Sequence, residues 1–253
     1  MTEWVRTLEL TTVASCSVRC AYCPQGVLRA AYRGAGVLDF DSFQRVVDKL
    51  PQDVRIHFSG FVEPWLNPKC TSMLLHALDA GRRVAVYTTT IGMRDPLIVT
   101  EALRRYAHLV DHACVHLPDV HGHMQRLPEA GAIEAFRQVP GVEWMSMGGS
   151  AIPTEQLSVW APIDRAGSLT GKSLPIVRHV GPIRCSYTPT YDHNVMLPNG
   201  DVVLCCMDYG LKHKLGNLFE QSWDELDRTQ VAKDNEGSDG TTICRRCNGS
   251  EKA

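Results

Sequence analysis

Alternating and helically spaced hydrophobic positions predict a regular succession of strands and helices in the first 150 residues. Strand patterns occur at 7–15, 54–60, 83–90, 109–117 and 142–147, and helical patterns at 41–50, 68–80, 95–108 and 129–138. Because strands and helices follow one another in order, the strands are expected to be parallel, with crossover helices between them. The sequence therefore predicts an α/β fold, either a barrel or an open sheet.

The hydrophobic pattern weakens near Gly148, and Pro, Gly and Ser accumulate after it. This change predicts three parts. Residues 1–150 form the first domain, residues 151–184 connect it to the rest, and residues 185–253 form a small C-terminal domain.

The C-terminal part carries two local signals of structure. Strand patterns at 194–197 and 201–205 flank a Pro-Asn-Gly turn at 198–200, which predicts a β-hairpin. Ser222 and Glu225 have the spacing of a capping box, so a short helix is expected there.

Composition excludes several broad classes of protein. The chain has 253 residues, 44% of them hydrophobic and 21% charged, with a formal net charge of −2. Such a chain is neither disordered nor strongly basic, so we expect no nucleic-acid partner. No apolar run is long enough for a membrane span and no signal-type segment is seen, so we expect no membrane partner and a cytoplasmic location.

The ten cysteines are the most informative feature of the composition, because clustered thiols in a reducing compartment usually bind metal or take part in catalysis. Cys16, Cys20 and Cys23 are spaced C-x3-C-x2-C just after the first predicted strand. Three thiolates suit an iron–sulfur cluster and leave one iron of a cubane for a small molecule. A zinc site is disfavoured, because it needs a nearby fourth ligand and His57 is distant in sequence.

A second group of cysteines lies in the C-terminal part. Cys185, Cys205, Cys244 and Cys247 place two thiols around a predicted turn and two in a C-x2-C pair. Four thiolates are enough to hold a complete iron–sulfur cluster. A four-cysteine zinc site has the same count, and spacing does not separate the two.

The first motif, with aromatic Tyr22 before its last cysteine, resembles the signature of the radical S-adenosylmethionine (SAM) superfamily. The resemblance implies a partial (β/α)6 barrel in which Cys16, Cys20 and Cys23 hold a [4Fe–4S] cluster. In that family the free iron is chelated by the methionine part of SAM, and the bound SAM is cleaved to a 5′-deoxyadenosyl radical. Tyr22 is expected beside this cofactor.

The segment from Ser59 to Pro64 resembles the G-G-E-P segment of the same family. The resemblance implies that Ser59, Gly60 and Glu63 contact SAM. Here Ser replaces the first Gly, and Phe and Val are inserted before Glu63.

Two further segments resemble parts of that family that contact SAM or substrate. Thr88 and Thr90 lie at the end of the third predicted strand, where the family places polar groups on the ribose of SAM. Asp164-Arg165-Ala166-Gly167 resembles an N-R-A-G segment, which implies that Arg165 reaches the SAM carboxylate or the substrate. A guanidinium matches a carboxylate with two parallel hydrogen bonds.

The C-terminal spacing resembles the twitch domain, the short form of the SPASM auxiliary-cluster domain. The resemblance implies that Cys185, Cys205, Cys244 and Cys247 bind a second, auxiliary [4Fe–4S] cluster. It also implies a small domain made of a β-hairpin and a helix.

Three cysteines remain after these assignments: Cys70, Cys114 and Cys206. Each is either a buried structural thiol or a hydrogen-atom donor to a substrate radical. Cys206 is the first candidate for a donor, because it should point away from the face that carries Cys205. Cys114 is the second candidate.

Histidines cluster in and after the fourth predicted strand, at His112, His116, His121 and His123. At least one is expected near the substrate as a general base or hydrogen-bonding group, with His116 as the candidate. Four residues between the first two auxiliary ligands are also expected to line the pocket: Tyr187, Tyr191, Asp192 and His193.

The compact chain is similar to short twitch enzymes that oxidise or epimerise a carbinol carbon of aminocyclitols and aminoglycosides. This resemblance implies a small-molecule substrate, a role in antibiotic biosynthesis, SAM, two [4Fe–4S] clusters and an electron donor such as flavodoxin or ferredoxin. Two alternatives stay open. One is epimerisation or crosslinking of a ribosomally made peptide, and the other is a non-enzymatic zinc-binding module.

Overall fold

The computed structural model describes residues 5–253 except 125, 153, 155, 170–173, 175 and 239. The strands are β1 (Thr7–Leu10), β2 (Arg55–Phe58), β3 (Val84–Thr88), β4 (Val110–His116), β5 (Glu143–Met147), β6 (Leu157–Trp160), β7 (Ile183–Cys185), β8 (His193–Met196), β9 (Asp201–Val203), β10 (Lys214–Asn217) and β11 (Ser250–Lys252). The α-helices are α1 (Gln25–Ala31), α2 (Phe40–Lys49), α3 (Cys70–Asp79), α4 (Pro96–Arg105), α5 (Ala132–Arg137) and α6 (Thr229–Glu236). Short 3-10 helices occupy Pro64–Leu66, Ala107–Leu109, Trp223–Glu225 and Ile243–Arg246.

Nine of the strands form one sheet, in the order β10-β9-β8-β1-β2-β3-β4-β5-β6. Strands β1 to β6 are all parallel, with helices between most of them. The α/β fold with parallel strands is therefore confirmed. In the described part of the chain, β6 and β10 are the edges of this sheet, so the barrel is partial rather than closed.

The core lies between the sheet and the helices. Leu8 and Leu10 of β1, with Ile56 and Phe58 of β2, are almost completely buried on the helix side. Alternate residues of the same strands, such as Glu9, lie on the opposite face, inside the barrel. None of the helices in the described ranges combines the length and apolar character needed to cross a membrane.

The sixth strand of the barrel lies inside the segment predicted to be a connection. Leu157–Trp160 pairs in parallel with β5, so the barrel sheet extends beyond residue 150. The sequence signal was weak because three of its four residues are exposed, among them Val159 and Trp160. Other parts of the predicted connection, including 170–173, lie outside the described residues.

The C-terminal hairpin continues the barrel sheet rather than forming a separate one. Strand β8 pairs in parallel with β1, and β9 and β10 follow in antiparallel order. Gly200 makes the turn with φ of 83°, and a Cβ there would lie 2.5 Å from the Phe219 ring. The predicted capping box is present, since the Glu225 carboxylate accepts hydrogen bonds from the Ser222 backbone N (2.8 Å) and Oγ (2.7 Å).

Candidate functional site

A cavity of about 230 Å³ lies at the carboxyl ends of the barrel strands. In parallel sheets this edge is where ligands bind. The predicted site residues that line the cavity are Cys16, Cys20, Tyr22, Cys23, Ser59, Gly60, Glu63, Thr88, Cys114, His116 and Arg165. The fold thus brings together motifs that are up to 150 residues apart in sequence.

The three N-terminal cysteines share one wall of this cavity, in the loop after β1. Burial raises the pKa of Cys20 to about 12, and the neighbouring thiols Cys23 and Cys16 add to this rise. The Gln25 side chain holds the loop, because its carbonyl oxygen accepts a hydrogen bond from the Cys16 backbone N at 3.3 Å. The Tyr209 hydroxyl lies 3.7 Å from the Cys23 sulfur. Three soft ligands in one wall, with no fourth ligand beside them among the described residues, fit an iron–sulfur cluster that binds a further small molecule.

Glu63 lines the cavity, but its carboxylate is fully engaged by the protein. Oε1 accepts hydrogen bonds from the Trp65 backbone N (3.1 Å) and Thr88 Oγ1 (2.8 Å), and Oε2 from the Thr89 backbone N (2.6 Å) and Oγ1 (2.7 Å). Burial raises the pKa of Glu63, and the hydrogen bonds from Thr89 oppose that rise. Glu63 therefore ties the loop after β2 to the end of β3.

Thr89, rather than Thr90, joins Thr88 in the cavity wall. Strand β3 ends at Thr88, and Thr90 has a positive φ of 62°, so strand alternation does not continue to this residue. The Thr90 side chain is fully buried, and its hydroxyl has no hydrogen-bond partner among the described residues. Thr89 therefore takes the place in the cavity wall that was predicted for Thr90.

Tyr22 and His116 form a contact between the cysteine loop and the end of β4. The Tyr22 hydroxyl lies 3.1 Å from His116 Nε2, and the two rings are stacked at 5.8 Å. Burial lowers the pKa of His116 to about 4. The imidazole at this wall is therefore neutral at physiological pH and suited to hydrogen bonding.

The segment Arg165-Ala166-Gly167 has three consecutive left-handed residues, with φ of 51°, 51° and 84°. Such backbone strain outside glycine is often found at ligand-binding sites. The Arg165 guanidinium lines the cavity near Cys23 and Tyr209. No described residue forms a hydrogen bond or ion pair with it, so it remains available to an anionic or carboxylate group of a ligand.

The spare cysteines are placed differently from one another. Cys114 lines the cavity, and burial raises the pKa of its thiol to about 12. Cys206 lies behind the cavity wall, facing Glu9 and Arg165. Cys70 is buried in the core at the start of α3.

Glu9 is a site residue that the motif comparison missed. Its Oε1 lies 2.7 Å from His193 Nε2, and its Oε2 accepts hydrogen bonds from Ser59 Oγ (3.0 Å) and Gly60 N (3.1 Å). Burial raises the pKa of Glu9, but the hydrogen bond and charge of His193 outweigh burial and lower it to about 2. The sequence signal that could have identified this residue is a carboxylate between Leu8 and Leu10 in the first predicted strand.

The four residues expected to line the pocket between the first two auxiliary ligands have different positions. His193 lies inside the barrel beside Glu9. Tyr187 is 66% exposed, whereas Tyr191 is buried and its hydroxyl accepts a hydrogen bond from Asn235 at 3.0 Å. Asp192 accepts a hydrogen bond from the Thr188 hydroxyl at 2.5 Å. His193 is thus the member of this group that reaches the interior.

The four C-terminal cysteines come together from β7, the loop after β9 and the last 3-10 helix. Burial raises the pKa of Cys205, and the thiols of Cys206, Cys244 and Cys247 add to this rise. Cys185 acts in the same way on Cys244 and Cys247. In the described residues, no group of three or more His, Cys, Asp or Glu side chains is arranged to hold a single metal ion.

Comparison with known proteins agrees with this arrangement. Residues 185–248 match the family model described as SPASM, an iron–sulfur cluster-binding domain. The structure of BtrN in complex with AdoMet and 2-DOIA superposes with a TM-score of 0.64 at 19% identity, covering 98% of this chain and 94% of BtrN. SuiB of Streptococcus suis, bound to its precursor peptide SuiA, superposes with a TM-score of 0.63 at 12% identity, covering 96% and 70% of the two chains.

A curated relative matches over a shorter stretch. It is the dTDP-4-amino-4,6-dideoxy-D-glucose ammonia-lyase of Streptomyces venezuelae, 34% identical over 85 residues. The match spans 32% of this chain and 17% of the relative.

The molecule has the fold of the radical SAM enzymes, with a parallel partial barrel and the three-cysteine loop after its first strand. Its C-terminal region is similar to the SPASM iron–sulfur cluster-binding domain. The predicted resemblance is confirmed at this level.

Proposed function

We propose that the protein is a radical SAM enzyme that removes a hydrogen atom from a carbinol carbon of an aminocyclitol or amino sugar. The observation that carries the proposal is the cavity at the carboxyl ends of the barrel strands. It joins the loop of Cys16, Cys20 and Cys23 to hydrogen-bonding groups of β4 and to Arg165.

In this proposal Cys16, Cys20 and Cys23 hold a [4Fe–4S] cluster, and the same cavity holds SAM. SAM and a reduced cluster, when bound there, would supply the chemistry that removes a hydrogen atom from an unactivated carbon. Arg165 is free to bind a carboxylate, and the carboxylate of SAM is the natural candidate. The remaining task of the chain is to fix the substrate carbon and exclude water.

The second group of thiols, Cys185, Cys205, Cys244 and Cys247, would hold the auxiliary [4Fe–4S] cluster. Four protein ligands complete the coordination of such a cluster, so it needs no substrate as a ligand. It can accept one electron. An external donor such as flavodoxin or ferredoxin would deliver the electron that starts the reaction.

The cavity wall supports a small polar substrate. Ser59, His116 and Arg165 offer hydrogen-bonding groups of different kinds in a wall that also contains cysteine, methionine, tyrosine and threonine side chains. Such groups suit the hydroxyl and amino substituents of a sugar or cyclitol. The 2-DOIA complex of BtrN and the aminosugar name of the lyase relative support the same class of substrate.

Two outcomes can follow the hydrogen abstraction. Loss of a proton and an electron gives a ketone, and return of a hydrogen atom from a thiol to the other face gives the epimer. Two thiols are candidates for the second outcome: Cys114, which lines the cavity, and Cys206, which faces Arg165 of the cavity wall.

An isotope experiment tests the proposal. The protein is reconstituted without oxygen, reduced with dithionite and given SAM with aminocyclitols and amino sugars deuterated at single carbinol carbons. We expect deuterium in 5′-deoxyadenosine with at least one compound. If 5′-deoxyadenosine forms but carries no label from any of them, the substrate class is wrong.

A Cys206→Ala variant separates the two outcomes. If Cys206 returns the hydrogen atom, the variant makes ketone where the wild-type protein makes epimer. Cys70→Ala is the matched control, because Cys70 is a thiol of the hydrophobic core at the start of α3. Unchanged epimer from Cys206→Ala would remove this cysteine from the mechanism.

The same assay addresses the alternative of peptide modification. A peptide-modifying enzyme transfers no deuterium from the labelled aminocyclitols and amino sugars to 5′-deoxyadenosine. It does transfer deuterium from a labelled precursor peptide. The zinc-module alternative predicts neither sulfide nor SAM cleavage in the reconstituted protein.

A further inference from the structure

The last pair of auxiliary cysteines touches the loop that carries Arg165. Arg246 lies between Cys244 and Cys247, and its guanidinium packs directly on the backbone of Gly167. A Cβ at Gly167 would lie 2.5 Å from Nη1 and 2.6 Å from Nη2 of Arg246. The auxiliary thiols and the loop of the cavity wall therefore meet at this contact.

The loop of Arg165 is strained and has few bonds of its own. Arg165 and Ala166 both have a positive φ of 51°. Two backbone hydrogen bonds close the loop, from Ser168 N to Arg165 O at 3.1 Å and from Leu169 N to Asp164 O at 3.0 Å. Left-handed residues that carry side chains persist only where the surrounding structure fixes them. Contacts from outside the loop must therefore hold it in this conformation.

Arg246 reaches the loop from a firm base. Its neighbour Arg245 is buried, and the Arg245 guanidinium donates hydrogen bonds to the backbone oxygens of Asp234 (2.8 Å) and Gly237 (2.5 Å). The Nε of Arg246 is buried and has no hydrogen-bond partner among the described residues. This part of the Arg246 side chain is therefore packed against the protein rather than solvated, as the contact with Gly167 requires.

The loop lies between the cavity and the auxiliary thiols. The Arg165 side chain lines the cavity, near Tyr209 and Cys23. The charge of the preceding residue, Asp164, acts on Cys247 of the auxiliary pair. Neighbouring residues of one short loop thus face the two different thiol sites of the molecule.

We propose that Arg246 is a positioning residue for Arg165. By packing on Gly167, it holds the strained loop in the conformation that presents the Arg165 guanidinium to the cavity. The inference rests on the proposed function for its ligand, since the carboxylate offered to Arg165 is that of SAM. It follows that the segment with the last two auxiliary cysteines also contributes to the binding of SAM in the barrel.

A hydrogen-exchange experiment tests the contact without SAM. The amides of Ser168 and Leu169 are protected by the two bonds that close the loop, so their exchange reports its opening. In the reconstituted protein we expect the segment 164–169 to exchange roughly tenfold faster in Arg246→Ala, because strain of this kind changes an opening equilibrium by about that factor. Helix α2 (Phe40–Lys49) is the internal control and should exchange at the same rate in both proteins. Equal exchange of the loop would overturn the proposal.

Two controls separate this contact from damage to the auxiliary site. Arg246 lies inside the auxiliary motif, so the iron content of Arg246→Ala is compared with that of the wild-type protein. If iron is lost, Arg246→Gln takes its place, because it keeps part of the side-chain stem and removes the guanidinium. Arg104→Ala, on the exposed side of α4, is the matched control for the loss of an arginine and should behave as the wild-type protein.

The other half of the contact gives an independent test. Gly167→Ala adds a methyl group that meets the Arg246 guanidinium, and it leaves the auxiliary motif unchanged. The positive φ of Gly167 strains this variant in any background, so the informative quantity is a difference. We expect Gly167→Ala to speed exchange of the loop less in the Arg246→Ala background than in the wild-type background. Equal effects in the two backgrounds would contradict the contact.

Equilibrium dialysis with SAM tests whether Arg246 acts through Arg165. Arg165→Ala should weaken SAM binding by roughly tenfold or more, because it removes hydrogen bonds between charged groups. Arg246→Ala should weaken it by roughly threefold or more, and it should add nothing to the loss in the double variant. Losses that simply multiply in the double variant would overturn the positioning role.

The outcomes separate this inference from the proposed function. If the wild-type protein binds SAM and Arg246→Ala binds it equally well, the inference is overturned and the proposed function stands. If the wild-type protein binds no SAM, the proposed function is overturned, and the exchange experiments alone decide whether Arg246 holds the loop.

Discussion

Glu63 has a structural part that its motif does not imply. In the folded chain four donors of the protein bind its two carboxylate oxygens, in a residue that also lines the cavity. A buried carboxylate with this many partners costs a great deal to disturb, because each donor loses its acceptor. The residue therefore shapes the cavity wall by joining the β2 and β3 loops.

Replacing Glu63 by Gln should destabilise the protein. One oxygen becomes an NH2 group that faces two donors, and the loss should be about 2–4 kcal/mol. Thermal unfolding under anaerobic conditions measures it, with an expected fall in Tm of roughly 4–16 °C. Glu101→Gln on the exposed face of α4 is the matched control and should stay within about 0.5 kcal/mol of the wild-type protein. Equal Tm values for the two variants would show that the four hydrogen bonds contribute little.

The hairpin β8–β9 carries or leads into several residues of the C-terminal part of the chain that were predicted for the site. It places His193 inside the barrel and carries Cys205 and Cys206 just beyond β9. Its turn needs a residue without a Cβ, because Gly200 has a positive φ and lies against the Phe219 ring. The turn therefore fixes the position of His193, which precedes it, relative to Cys205 and Cys206, which follow it.

Two glycine substitutions should have opposite effects on stability. Gly200→Ala adds strain and a contact at 2.5 Å, so we expect a loss of about 1–3 kcal/mol. Gly26→Ala lies within α1 with nothing within 4 Å of the new Cβ, so we expect a gain of up to about 1 kcal/mol. Denaturant unfolding of both variants measures the difference. A Gly200→Ala protein as stable as Gly26→Ala would contradict the assigned turn.

At the scale of elements, local patterns in the sequence predicted most of the barrel. Strands β1 to β5 were visible because their buried residues alternate or run together, and the first cysteine spacing was visible because it lies within one short loop. Strand β6 was missed because its exposed residues carry no such pattern. The Glu9–His193 pair could not be seen either, because 184 positions separate its members and only the β1–β8 pairing brings them together.

The molecule as a whole has two separate groups of thiols, and iron content should report each one independently. Two cubanes give about eight iron and eight sulfide per chain. We expect Cys247→Ser to lower the iron content to roughly half while SAM cleavage by dithionite-reduced protein persists. The matched control is Cys70→Ser, which changes a core thiol and should keep the full iron content.

The reverse experiment uses the other group of thiols. Replacing Cys16, Cys20 and Cys23 by Ser should also leave about half of the iron, but SAM cleavage should be lost. Zinc in place of iron and sulfide in the wild-type protein would rule out both clusters.

The pairing of β1 with β8 also determines when, during synthesis, the first strand gains its second neighbour. A nascent chain that has left the ribosome as far as β6 has one edge of β1 without its partner, because that partner begins at His193. Contacts between such distant segments form slowly, and an open strand edge invites aggregation until they do. Translation must therefore pass His193 before the first strand of the barrel is paired on both sides.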